Sequence, residues 1–195
     1  MTIDTRRSAV LALHWQVNVI KPEGFFGAML AEPVALSGVV ERTTHFHGAA
    51  NAAGLPILFT RFTVPADGGQ LVTNTGFMTA VAASSDAFAP DAPGAQLIPE
   101  MAMQADRVFD NQKLSGLAGS ALPNWLGEHG IDTVLITGVA TNLTVEQTAR
   151  HATDLGLTAY VISDCVTAAD EATHAASLAN LELATAGCRS ADQML

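Results

Sequence analysis

Chemistry near neutral pH needs groups that take a proton or attack an electrophile. This 195-residue chain offers six histidines, two cysteines and many threonines. An imidazole titrates closest to neutrality. A thiol attacks only as its thiolate, and a threonine hydroxyl, with a far higher pKa, needs a base beside it. Spacing sorts these candidates. His45 and His47 form an H-x-H pair, but residues two apart on a helix face different ways, so no shared metal is expected, and no cofactor either. His129, His151 and His174 fall on surface faces of expected helices and read as solvated. Cys165, on the turn expected after the fifth strand, reads as a small buried residue, with a displaced nucleophile as the alternative. The remaining candidates each lie at or just past the end of an expected strand: His14, then Asn111 with Lys113, then the turn Gly138 to Thr144.

Those residues matter only if the runs before them are strands, because ligands of an open parallel sheet sit beyond the strands' carboxyl ends. The run SAVLAL, residues 8–13, is continuously apolar and reads as a buried parallel strand. Strands are likewise expected over residues 55–62, 106–111, 133–137 and 158–163, with a short sixth after Gly187. Helices are expected from a Ser37 cap to Ala53, over 119–129, from Thr141 or Asn142 to Gly156, and over 170–186. Residues 19–34, with two prolines and two glycines, read as a loop, and 64–94 as a flap or a short helix pair. Strands alternating with helices imply right-handed crossovers. The expected fold is α/β: a three-layer α/β/α, Rossmann-like open parallel sheet of about six strands, forming one domain over residues 1–195.

Composition narrows the partners. Nine Lys and Arg against nineteen Asp and Glu give a net charge of −10. Phosphate backbones need clustered cations, and no such cluster occurs, so neither nucleic acid nor an anionic membrane is an expected partner. Two cysteines do not make a disulfide framework. The opening MTIDTRRSAVLALHW has too short an apolar run for a secretory leader, and no run approaches the 18 or so apolar residues of a membrane helix. A reduced, cytoplasmic setting is the expectation.

Residues 131–152, IDTVLITGVATNLTVEQTARHA, are similar to the signature of isochorismatase-like cysteine hydrolases. There a strand ends in T-G-V-x-T, opening a helix that bears a nucleophilic cysteine and then T-A-R-x-A. Residues 106–122 resemble the family segment D-x-V-x-x-K-x-x-x-S-A-F-x-G-T-x-L, and 11–18 resemble V-I-D-M-Q-N-D. The family's aspartate falls on His14, its lysine on Asn111 and its cysteine on Thr144. The resemblance implies a cis peptide between Val139 and Ala140 and oxyanion donors at the N–H groups of Ala140 and Thr144. It also implies a homo-oligomer, dimer or tetramer.

The altered positions leave two readings open. One is a hydrolase acting on a small carbonyl- or carboxylate-containing molecule. In it His14 is the acid/base, Asn111 orients it, and Thr144 is the nucleophile or positions water. Gln16, Trp15, Phe62, Lys113, Val139 and Ala140 would bind substrate. Lys113 lies two residues past the vacant lysine place, on the same face of an extended segment but roughly 6–7 Å along it. The other reading is a catalytically silent family member using the same pocket for a ligand or a protein partner.

Overall fold

Six consecutive buried residues, Ser8–Leu13, form strand β1 at the centre of the sheet. The computed structural model describes residues 3–195. From β1 the chain makes one helical turn, α1 (Val17–Ile20), then α2 (Gly27–Ser37) and α3 (Val39–Ala52). It returns through β2 (Ile57–Phe62), α4 (Gly76–Ala82), α5 (Pro99–Ala102) and β3 (Arg107–Asn111). Next come α6 (Leu122–Glu128), β4 (Thr133–Val139) and a π-helical turn, Thr141–Val145, leading into α7 (Glu146–Asp154). Strand β5 (Thr158–Thr167), α8 (Glu171–Ala184), β6 (Cys188–Arg189) and α9 (Ala191–Met194) complete it.

The strand order is β3-β2-β1-β4-β5-β6, every pair parallel. Period-two alternation sends the side chains of each strand to two cores. Val10, Ala12, Ile57 and Phe59 face α2, α3 and α5, while Leu11, Leu13, Val134 and Ile136 face α6, α7 and α8. This is the expected three-layer arrangement. Building proceeds outward from β1 to β3, then jumps back to β4 on the other side of β1. The reversal leaves a crevice between the carboxyl ends of β1 and β4, where such sheets bind ligands. A third, smaller cluster of Phe62, Val64, Met78, Val81 and Phe88 roofs that edge. Among the described residues no helix is long and apolar enough to cross a membrane.

The structure departs from the sequence expectation in three places. Residues 19–34 are mostly helical, not a loop. Pro33 sits inside α2 and removes one backbone donor, but burial of Leu30, Ala31 and Val34 against the sheet outweighs that loss. The segment 64–94 resolves into one short helix, α4, and two single 3₁₀ turns. Strand β5 runs four residues past its expected end, so Cys165 lies within a strand and not on a turn. There burial pushes its thiol up to about 12, which removes it as a nucleophile.

Candidate functional site

Each wall of the β1/β4 crevice begins with an unusual backbone. His14 follows β1 directly and is the described non-glycine residue with positive φ, at 54°. Few side chains adopt that region, and histidine is among those that do. Its amide donates to Thr60 O at 3.1 Å. Across the crevice β4 must pass close to the same point. A Cβ on Gly138 would stand 2.5 Å from Leu13 O and 2.8 Å from Leu13 Cβ, and its φ is 146°. Glycine is required there on both counts. The next peptide, Val139–Ala140, is cis, as the resemblance implies. The Ala140 carbonyl then accepts from Leu143 N and Val145 N, which fixes the π-helical turn and carries Thr144 inward. Neither Thr141 nor Asn142 caps this turn with its side chain. Thr141 Oγ1 instead bonds His174 Nδ1 at 2.9 Å.

Asn111 ends β3 fully buried. Its Nδ2 donates to the carbonyls of Ser115 at 2.6 Å, Lys113 at 3.2 Å and Ala118 at 3.3 Å. Three acceptors around Nδ2 fix the orientation of the amide and turn Oδ1 toward His14. Burial pushes the His14 imidazole down to about 4, and Asn111 opposes that shift. Even so, neither His14 Nε2 nor Asn111 Oδ1 completes a hydrogen bond of normal geometry, and Thr144 Oγ1 is also without a partner. All three residues are at most 6% exposed. Buried polar atoms are nearly always bonded, so three orphans on three converging strand ends mark this spot. His14, Val139, Ala140 and Thr144 line a small pocket of about 50 Å³, with Phe62 also in its wall. The rings of His14 and Phe62 lie 6.3 Å apart, nearly perpendicular.

Three residues expected to bind substrate lie elsewhere. Gln16 is a buried brace: its Nε2 donates to Phe62 O and Ala95 O, and its Oε1 accepts from Phe62 N at 2.7 Å. Trp15 is wholly buried in the core beneath α2 and α3. Lys113 points away, donating to Gln70 O, and lines a separate polar groove with Arg150 and His151. It does not reach the vacant lysine place, because a two-residue offset past the strand end lands it in a turn. All three histidines read as solvated are in fact partnered: His151 Nδ1 meets Ser115 Oγ at 3.0 Å, His174 meets Thr141, and His129 Nδ1 meets Trp125 O at 2.8 Å. His129 is exposed and stacks on Trp125. His45 is exposed while His47 is buried and bonded to Gln104 and Thr137, so the pair is divided between surface and core. Among the described residues no three His, Cys, Asp or Glu side chains gather as a metal site.

Sequence reasoning missed Phe77, Phe88, Met29, Leu114 and Leu143, all of which line the pocket. Phe77 and Phe88 come from the aperiodic 64–94 segment, where no repeat signalled a buried face. The F-x-x-x-V spacing of Phe77 and Val81, one helical turn apart, was the available sign.

Comparison with known proteins agrees with this geometry. Residues 8–193 match the isochorismatase domain family. The chain is 34% identical to the uncharacterized isochorismatase family protein YwoC of Bacillus subtilis (strain 168) over 85 residues. That match covers 43% of this chain and 45% of YwoC, less than half of either. It is 27% identical to the uncharacterized isochorismatase family protein YecD of Escherichia coli O157:H7 over 172 residues, 84% of this chain and 85% of that one. Its fold is like that of a cysteine hydrolase from Pseudomonas syringae pv. phaseolicola 1448A. The TM-score is 0.85 at 23% identity, covering 99% of this chain and 92% of the other.

Proposed function

Because the chain belongs to the isochorismatase domain family over nearly its whole length, we propose that it acts as a hydrolase on a small carbonyl- or carboxylate-containing molecule. The altered group His14, Asn111 and Thr144 would stand in place of the family's aspartate, lysine and cysteine. The observation that carries this is the trio of buried, unpartnered polar atoms, His14 Nε2, Asn111 Oδ1 and Thr144 Oγ1, at the sheet's switch point.

The chemistry follows from the residue types. With its pKa near 4, the His14 imidazole is neutral at pH 7 and free to accept a proton. It takes the hydroxyl proton of Thr144 as Oγ1 adds to the substrate's carbonyl carbon, in the nucleophile–base–orienter arrangement common to acyl-transfer sites. Negative charge developing on the carbonyl oxygen is met by backbone N–H groups of the Val139–Thr144 turn. The imidazolium then returns the proton to the departing amine or alcohol. Water cleaves the ester left on Thr144, with the same imidazole as base.

A second reading, ligand binding without turnover, is favoured by that same low pKa. General bases work best with a pKa near the working pH, and Lys113 is engaged elsewhere. Turnover of small amides, esters and vinyl ethers by the wild type, His14→Asn and Thr144→Val separates the readings. The hydrolase reading expects each variant to lose about 10²-fold or more in rate. Activity surviving in both variants refutes it. Saturable binding with no product supports the second reading.

A further inference from the structure

The lining of this pocket restricts what enters it. Phe26, Phe62, Phe77 and Phe88 surround the space, and no lining residue is an acid, a lysine or an arginine. Phe26 stacks on Phe77 with centroids 5.5 Å apart and planes within 6°. Phe62 meets Phe88 edge-on at 5.5 Å, and Phe25 backs Phe26 edge-on at 4.8 Å. Phenylalanine offers no O–H or N–H, so this wall selects by apolar contact and by ring-on-ring geometry. The neighbouring cations face the separate groove, where Lys113 donates to Gln70 O and Arg150 pairs with Glu146.

Charge then decides the class. A carboxylate drawn in here would leave water with no lysine or arginine to pair with and only the buried His14 imidazole, neutral at rest, beside it, and an unpaired buried ion is heavily penalised. The helix N-terminus behind Ala140 supplies roughly half a unit of positive charge, enough for a carbonyl dipole and short of a full anion. An ammonium would find ring faces but no carboxylate, and would leave the turn's N–H donors unused. We infer that the pocket takes an uncharged molecule bearing an aromatic ring and a carbonyl group. The ring lies among the phenylalanines and the carbonyl over His14, Ala140 and Thr144. This rests on the reading of the pocket as a small-molecule site, and it narrows the ligand from carbonyl-or-carboxylate to uncharged.

Four probes of matched shape test it on the whole chain at pH 7.5: phenylacetamide, phenylacetate, phenethylammonium and acetamide, with affinities from ligand-observed NMR titration. Phenylacetamide is expected to bind at least tenfold more tightly than each of the others. In Met29→Lys, at the half-exposed pocket rim, the preference for amide over carboxylate is expected to fall at least threefold. Phenylacetate or phenethylammonium binding as tightly as the amide overturns the charge assignment and leaves the small-molecule site standing. Acetamide matching phenylacetamide overturns the aromatic assignment. Failure of all four to bind overturns the small-molecule reading itself.

Discussion

Replacing His47 by glutamine should halve the acid sensitivity of the fold. His47 is wholly buried, its ring nitrogens 3.1 Å from Gln104 Oε1 and 3.1 Å from Thr137 Oγ1. Burial pushes it down from 6.5 to about 4, and His14 is lowered to the same value. Between those two pH values the unfolded chain binds protons that the folded chain refuses. Stability is therefore full above pH 6.5 and falls as the pH drops toward 4. At 1.36 kcal/mol per unit, a fall from 6.5 to about 4 is worth about 3 kcal/mol per histidine once titration is complete. By pH 5 about 2 kcal/mol of that has been lost per residue, or about 4 kcal/mol for the pair. Against a typical domain stability of about 5–15 kcal/mol, that is a large fraction. Urea unfolding followed by far-UV circular dichroism at pH 7.5, 6.5, 5.5 and 5.0 measures it. The wild type should lose about 4 kcal/mol across the series, and His47→Gln about 2 kcal/mol, whatever its starting stability. A wild type flat to within about 1 kcal/mol, or an unchanged slope in His47→Gln, would refute the reasoning.

Other substitutions have definite signs. Gly138→Ala puts a Cβ 2.5 Å from Leu13 O at a φ of 146°, and should cost at least about 2 kcal/mol in chemical denaturation. Gln16→Leu strands Phe62 N, Phe62 O and Ala95 O. Its expected cost is about 3 kcal/mol or more, with faster hydrogen exchange at the Phe62 amide. Thr144→Val removes an unpartnered buried hydroxyl at nearly constant shape, so it should raise stability by about 1 kcal/mol while abolishing any turnover. Unchanged or lower stability would mean that the hydroxyl has a partner in solution.

Patterns that repeat were legible in the sequence, and single side-chain choices were not. The apolar runs located β1, β2, β4 and β5, since a strand buried on both faces has no polar alternation to confuse with anything else. The resemblance carried by the T-G-V-x-T turn placed the cis peptide, while β4 runs two residues past its expected end at Thr137. Pro33 misled because local propensity cannot see the burial of Leu30 and Val34. Lys113 misled because strand periodicity was carried two residues past the strand's end: Asn111 is the last residue of β3. Gln16 was assigned to the ligand and proved to serve β2. Its three bonds run to residues 46 and 79 positions away, a distance that no local pattern encodes. His47 was rejected as a metal ligand, yet its burial between α3 and β4 was invisible for the same reason.

The left-handed backbone at residue 14 also limits which replacements the site can explore. With φ at 54°, the position favours glycine, asparagine, aspartate and histidine and resists β-branched and bulky side chains. That short set holds a carboxylate, a neutral amide, an imidazole and no side chain at all. Codons for aspartate, asparagine and histidine differ by single bases, so one nucleotide change exchanges the acid/base chemistry here without redrawing the chain around it. Random mutagenesis of residue 14 should therefore yield few folded variants, and those few should differ in their pH behaviour more than in their stability.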